Sequence, residues 1–149
     1  MTGVVVREAT LDDAAAIVSL LAELGYPWTP DIVAERLKAL KAIGNTALVA
    51  QRGDDVVGVL TLSAMLVLHR PKPVGRISAF VVTERCRGQG VGRTMVAAAE
   101  RHLAANGCGL IEVTSNRRRE EAHAFYERLG YERTSYRFAK PLESNAAIR

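Results

Sequence analysis

The chain has 149 residues, 48% of them apolar and 24% charged, with a formal net charge of +4 at pH 7. These are the proportions of an ordinary soluble globule, long enough for one domain over 1–149 that buries about two-thirds of its unfolded surface. No apolar run approaches the ~20 residues that span a bilayer, and Met1–Glu8 has neither the basic segment nor the cleavage site of a secretory leader, so a cytoplasmic protein is expected.

In chain order, Val4–Arg7 reads as a first strand. Thr10-Leu-Asp-Asp13 supplies N-cap chemistry for a helix in which Ile17, Leu20, Leu21 and Leu24 recur at helical spacing, and Gly25 stops it. Tyr26-Pro-Trp-Thr-Pro30 is a loop. A second helix runs over 31–42 with Ile32, Leu37, Leu40 and Ile43 on one side, and Gly44-Asn45 marks its end. Thr46–Arg52 and Val56–Leu68 read as a hairpin around Gly53-Asp54-Asp55, and the second strand is long enough to need a bend or bulge.

His69–Gly75 is a loop and Arg76–Val82 a strand. A third helix spans 90–106, with Val91, Gly92, Met95, Val96, Ala99 and Leu103 in one apolar stripe, where Gly92 also suits close packing on a sheet. Asn106-Gly-Cys-Gly109 breaks the chain before the strand Leu110–Ser115. A fourth helix over 119–129 buries Ala122, Phe125 and Leu129, and Gly130 ends it. Tyr131–Lys140 supplies one bent strand or two short ones, and Ser144–Arg149 is a frayed tail beyond a core of about 4–140. The order β-α-α-β-β-β-α-β-α-β is that of an α+β protein with a mixed sheet. Its first half is antiparallel, and its second begins with a right-handed β-α-β.

Chemistry concentrates in Arg87-Gly88-Gln89-Gly90-Val91-Gly92, between the Arg76–Val82 strand and the third helix. Glycines admit close approach of backbone to a ligand, and a helix start offers unpaired N–H groups and a positive dipole end, a combination that binds phosphate oxygens. The run is not a P-loop, which needs Gly-Lys-Ser/Thr after four residues. It also fails the dinucleotide fingerprint G-x-G-x-x-G, whose third glycine falls on Arg93 or Met95. The pattern Arg-x-x-Gly-x-Gly is met in full by Arg87, Gly90 and Gly92. About 30 residues on lies Ala122-His-Ala-Phe-Tyr-Glu-Arg-Leu-Gly-Tyr131.

The two motifs, in this order and with this element order, resemble the GNAT N-acetyltransferase superfamily over about residues 4–140. Arg7–Asp13 and Val56-Val-Gly58 are similar to that family as well. The resemblance implies a central mixed, mostly antiparallel twisted sheet of about six to seven strands flanked by about four helices. It implies transfer of an acetyl group from acetyl-coenzyme A to a primary amine by direct attack in a ternary complex. The loop amides over Arg87, Gly88, Gln89, Gly90, Val91 and Gly92, with Arg93 behind them, would cradle the coenzyme's pyrophosphate. The main chain of Val81 and Val82 would pair with the pantetheine arm, and Asn116 would hydrogen-bond it. Tyr126 would lie near the thioester sulfur and serve the departing thiolate. Tyr26 and Trp28, in the loop that lines the acceptor site in the family, and Ser78 are the substrate-side candidates.

One departure from the family pattern stands out. Many relatives carry a glutamate on the strand before the glycine loop, and this chain has Ser78, Ala79 and Phe80 there. Glu112 or Glu23 can take the amine proton through water, though each reads more simply as an ordinary surface or framework carboxylate. A non-catalytic acyl-coenzyme A-binding module and an acetyltransferase of protein amino groups are the alternatives.

The remaining signals are smaller. Arg117-Arg-Arg119 reads equally as a solvated run or as contacts to coenzyme phosphates or an acidic substrate. His69, His102 and His123 lack metal-ligand spacing, so no metal is expected. Cys86 and Cys108 form neither a disulfide framework nor a Cys-x-x-Cys pair. Few aromatics and scattered basic residues make nucleic acid an unsuitable partner. A small-molecule amine is the expected partner, with a homodimer as the expected assembly.

Overall fold

The computed structural model describes residues 3–144. It divides into two compact units, one up to Val113 and one from Thr114 onward.

The first unit is built on one five-stranded sheet in the order β1-β2-β3-β4-β5. The strands are β1 (Val5–Glu8), β2 (Thr46–Arg52), β3 (Asp55–Met65), β4 (Val74–Val82) and β5 (Leu110–Val113). β1 to β4 pair antiparallel and β5 joins β4 in parallel, with Val74 opposite Leu110 and Ile77 opposite Val113. The parallel pair is joined through α3 (Val91–Ala105), and α1 (Ala14–Glu23) and α2 (Pro30–Ala42) lie between β1 and β2 in the chain. The mixed sheet and the order of elements through α4 (Glu120–Arg128) are those expected.

Alternation along the strands sorts the core into two layers. The cross-strand row Val49–Val59–Val81 faces α1 and α2, packing with Ala14, Ile17, Leu20 and Val33. The next row, Ala50–Gly58–Val82, belongs to the opposite face, where α3 sets Met95 against Gly58. A Cβ at Gly58 would lie 2.6 Å from Met95 Sδ, and one at Gly75 would lie 2.5 Å from Leu103 Cδ1. Gly58 and Gly75 on the strands thus let α3 sit close to the sheet.

Both ends of α1 are tied. The buried carboxylate of Asp13, 6% exposed, accepts the Thr10 amide at 2.7 Å and both terminal nitrogens of Arg7 at 2.8 and 2.9 Å. These donors, the Arg7 guanidinium first, hold Asp13 below the usual carboxylate range against the opposing effect of burial. α2 starts with Pro30 at its first position and the Thr29 hydroxyl accepting the Ile32 amide. All four helices end alike. A left-handed glycine (Gly25, Gly44, Gly107, Gly130) donates to the carbonyl three back, and the next residue donates to the carbonyl five back.

Four expectations change. The buried side of α2 is Val33, Ala34 and Leu37, while Ile32 and Ile43 are exposed, because the i, i+4 pair Val33–Leu37 is the one that meets α1 and the sheet. β3 stops at Met65, short of Leu68, and β4 starts at Val74. Pro71 and Pro73 have no amide to donate to a ladder, so pairing ends at Met65–Val74 and Leu66 and Leu68 are exposed. The sheet has five strands among the described residues and none comes from 131–140. A strand needs a partner edge and a buried face, and there Tyr136 and Phe138 are 91% and 94% exposed. In the second unit α4 leaves Ala122, Phe125 and Leu129 half-buried, its apolar stripe being narrow and flanked by charge. Of the expected tail 144–149, residues 145–149 lie outside the described residues.

Candidate active site

The long β3 does carry a bulge. Ala50 faces Gly58 and Gln51 faces Val56, so Val57 is the extra residue. A second irregularity lies in β4, where Val59 pairs with Val81 but Thr61 pairs with Ser78. Ala79 and Phe80 thus oppose Leu60 alone, and Ala79 adopts φ +50°, a left-handed conformation that is costly for a residue with a Cβ. The bulge breaks the alternation, so Ser78 and Ala79 are exposed in succession. Ser78 bonds to Thr61, the hydroxyl oxygens lying 2.7 Å apart. The ladder to β5 ends at Ile77–Val113, five residues before β4 does. Val81 is buried on the α1 side, and Val82 is half-buried in the row of Gly58.

Beyond Val82 the chain makes a short 3-10 turn, Glu84–Cys86, and then the glycine loop. The turn is held by the last residue of α1. Glu23 accepts the Thr83 hydroxyl at 2.8 Å and the Glu84 amide at 2.9 Å, with the Arg87 guanidinium 3.9 Å away. Arg87 Nε also donates to the Val82 carbonyl at 3.3 Å. The far side of the loop is tied to the sheet by Arg52, which donates to Gln89 Oε1 at 2.9 Å and approaches Cys86 Sγ at 3.6 Å. Gln89 Nε2 donates in turn to the Arg85 carbonyl at 3.3 Å.

The loop needs its glycines for conformation. Gly88 and Gly90 have φ +76° and +83°, and Gly90 is the N-cap of α3. No side chain caps α3 and its first turn holds no acidic residue. Thr94 donates both its amide, at 3.1 Å, and its hydroxyl, at 2.9 Å, to the Gly90 carbonyl. The nearest acceptor is thereby occupied, and the amides of the first turn face outward as donors. Val91 is a core side chain, 1% exposed, and Gln89 is committed to Arg52. The Val91 side chain is thereby closed to a ligand, and the Gln89 side chain is partly committed to the loop. Arg87 and Arg93 are exposed.

Both carboxylates considered as bases are engaged. Glu23 holds the turn as above, and Glu112 Oε1 accepts Arg76 Nε and Nη2 at 3.0 and 2.7 Å across the β4–β5 pair. The rings of Tyr26 and Trp28, expected from the sequence to face the substrate, stand parallel with centroids 6.4 Å apart.

The second unit carries Asn116 and Tyr126. Asn116 Oδ1 accepts the Arg118 amide at 2.9 Å and its carbonyl accepts the Arg119 amide at 3.0 Å, closing the turn before α4. Tyr126 is half-buried on α4, and burial raises its phenol above the usual value, opposed by the positive charge of Arg119. Its place is set by the helix end. The Tyr131 amide donates to the Tyr126 carbonyl at 3.0 Å, and the Tyr131 ring packs back at 5.7 Å. Phe125 meets it edge-on at 5.2 Å. The Gly-Tyr that closes the second motif is thus the capping device that holds Tyr126. Thr94 and Arg52 were not singled out from the sequence. A hydroxyl four residues after a loop glycine is the signal that points to Thr94.

The model of the acetyltransferase (GNAT) family matches residues 14–131. The chain belongs to the GNAT acetyltransferase family. It is 33% identical over 141 residues to an aminoalkylphosphonate N-acetyltransferase of Salmonella typhimurium, covering 91% of this chain and 90% of that one. It is 29% identical over 150 residues to an aminoglycoside N(6')-acetyltransferase type 1 of Stenotrophomonas maltophilia, covering 95% of each. Among solved structures, one described as a transcriptional regulator from Bacillus halodurans superposes with a TM-score of 0.85 at 26% identity, over 93% of this chain and 99% of that chain. The glucosamine-6-phosphate N-acetyltransferase of Arabidopsis thaliana shares the fold, with a TM-score of 0.81 at 20% identity over 94% and 99%. The GNAT chain is accordingly an N-acetyltransferase. Among the described residues no group of three or more His, Cys, Asp or Glu is placed to hold a metal, and no helix is long and apolar enough to cross a membrane.

Proposed function

We propose that the protein transfers an acetyl group from acetyl-coenzyme A to the primary amine of a small molecule. The observation that carries this reading is the uncapped start of α3, with two left-handed glycines and no acidic residue. It follows, through the short turn and the glycine loop, a strand that β5 has stopped pairing. An array of amide donors at a helix N-terminus suits a pyrophosphate, and the stretch of β4 at Val81 and Val82, paired with β3 and lying beyond its last pair with β5, suits the amides of a pantetheine arm. In this reading Asn116 donates to that arm and Tyr126 hydrogen-bonds the sulfur as the thiolate leaves. The phenol is well matched to that task, because burial keeps it protonated across the physiological range.

The two relatives named above act, by their names, on aminoalkylphosphonates and aminoglycosides, so small amines are the acceptor class we favour. The engagement of both Glu23 and Glu112 points away from these two carboxylates as takers of the amine proton. The test is thiol release from acetyl-coenzyme A against aminoalkylphosphonates, aminoglycosides, polyamines, amino acids and lysine peptides, with coenzyme binding measured on the same samples. Release with one small-amine class is expected. Binding without release on any small amine, or release on lysine peptides alone, refutes the small-amine reading. Gly90→Glu, which sets charge and bulk against phosphate, is expected to abolish binding, and unchanged affinity would remove the loop from the site.

A further inference from the structure

We infer that His123 is a positioning residue for Asn116, and that it fixes the direction in which the Asn116 amide group is offered to the coenzyme. The inference rests on the reading of Asn116 given above. It starts from one contact, His123 Nε2 to the Asn116 carbonyl at 2.8 Å across seven residues.

The proton inventory of this contact is decided by its chemistry. A carbonyl oxygen only accepts, so Nε2 carries the hydrogen and donates it, and the contact acts as a brace on the turn. The same carbonyl accepts the Arg119 amide at 3.0 Å, so both its lone pairs are used. Asn116 Oδ1 is held by the Arg118 amide at 2.9 Å. With its oxygen turned back to the chain, the carboxamide leaves its NH2 as the outward group, a donor suited to an amide carbonyl of a pantetheine arm.

The brace is needed because the turn is otherwise weak. Residues 116 to 121 are all exposed, and the turn contains three consecutive arginines that repel one another. Exposed hydrogen bonds of such a turn compete with water. His123 is half-buried and belongs to the first turn of α4, where its own amide donates to the Arg119 carbonyl at 3.1 Å. It ties the turn to the helix that carries Tyr126 one turn later. One short helix thereby sets two site groups, Tyr126 directly and Asn116 through His123.

The test compares His123→Leu, His123→Gln and Asn116→Ala, singly and as the pair His123→Leu/Asn116→Ala. Coenzyme A affinity is read by calorimetry, and kcat and KM by thiol release. Glutamine can present an N–H at the reach of Nε2, whereas leucine keeps the bulk without the donor. His123→Leu is expected to weaken coenzyme A about fivefold to tenfold, the size of one lost hydrogen bond, with kcat at saturating coenzyme changed less than twofold. His123→Gln is expected to recover at least half of that loss, and His123→Leu to add nothing once Asn116 is alanine. Unchanged affinity in His123→Leu overturns the inference, as does an undiminished effect in the Asn116→Ala background, since His123 would then act by another route. Asn116→Ala with the affinity of the unaltered protein also overturns it. In that case, loss of binding in Gly90→Glu shows that the coenzyme reading itself stands, and retention of binding there shows that it fails too.

Discussion

Replacing Gly75 by alanine is expected to cost about 1–2 kcal/mol of folding stability, although alanine is the better residue for the backbone. The added Cβ would stand 2.5, 2.9 and 3.0 Å from Cδ1, Cδ2 and Cγ of Leu103. Carbon atoms attract best at about 3.5–4.0 Å, so Leu103 has to retreat by roughly 1 Å. These atoms include the branch point of a side chain that is 3% exposed, so the retreat moves α3 or its neighbours. An extra methyl in such a core typically costs about 1–3 kcal/mol. Restricting the unfolded chain returns about 0.4–1 kcal/mol, because Gly75 is not among the positive-φ glycines and alanine fits its backbone.

Gly58→Ala is the internal control. Its nearest neighbours are Met95 Sδ and Cε, at 2.6 and 3.3 Å, the far end of a flexible side chain that can turn aside. Its net effect is expected within about 1 kcal/mol of zero. Urea unfolding of both variants, with the midpoint and slope compared, reads the difference. Leu103→Ala alone should cost about 2–5 kcal/mol. Combined with Gly75→Ala it should cost less than the sum by about 1 kcal/mol, since the new methyl then enters the vacated space. Strict additivity, or unchanged stability in Gly75→Ala, would refute the view that Gly75 seats Leu103 of α3 against the sheet.

The other predictions concern charge and chemistry. Arg7→Met leaves the Asp13 carboxylate buried without its bidentate partner, and a loss of about 3 kcal/mol is expected at neutral pH by urea unfolding. Because the folded state lowers the Asp13 pKa, the contribution is complete above the unfolded carboxylate value near 3.9 and disappears as pH falls through the lower folded value. The stability gap between the unaltered protein and Asp13→Asn should therefore be flat from about pH 5 to 8 and close only in stronger acid; a gap already closing at pH 5–6 would contradict the assignment. Glu23→Ala should loosen the turn before the glycine loop and weaken coenzyme binding, while kcat at saturation falls less than tenfold. A loss of about a hundredfold or more in kcat would instead make Glu23 the base. Tyr126→Phe should lower kcat at least about tenfold with coenzyme affinity changed less than threefold. Equal turnover would take the phenol out of the reaction. In the unaltered protein no alkaline loss of kcat attributable to this group is expected below about pH 10, because burial raises its pKa.

By itself the sequence determined the local features. Helical spacing and stop glycines located α1 to α4 within one or two residues, and turn residues located the β2–β3 hairpin. The Arg-x-x-Gly-x-Gly run identified the loop before α3. These features follow from backbone sterics and short-range hydrogen bonds, which act within a few residues and so leave a local imprint. Tertiary structure decided whatever depends on a partner far along the chain. Ala79 has no turn-forming sequence around it, and only the mismatch between β3 and β4 makes it the left-handed residue of a bulge. Glu23 could be read from the sequence as a base or as a surface or framework carboxylate, and only the fold, by bringing it to Thr83 and Glu84, sixty and sixty-one residues away, gave it a structural role. Residues 131–140 read as strand in the sequence but take no place in the sheet, because a strand needs a partner and a buried face, and Tyr136 and Phe138 are exposed.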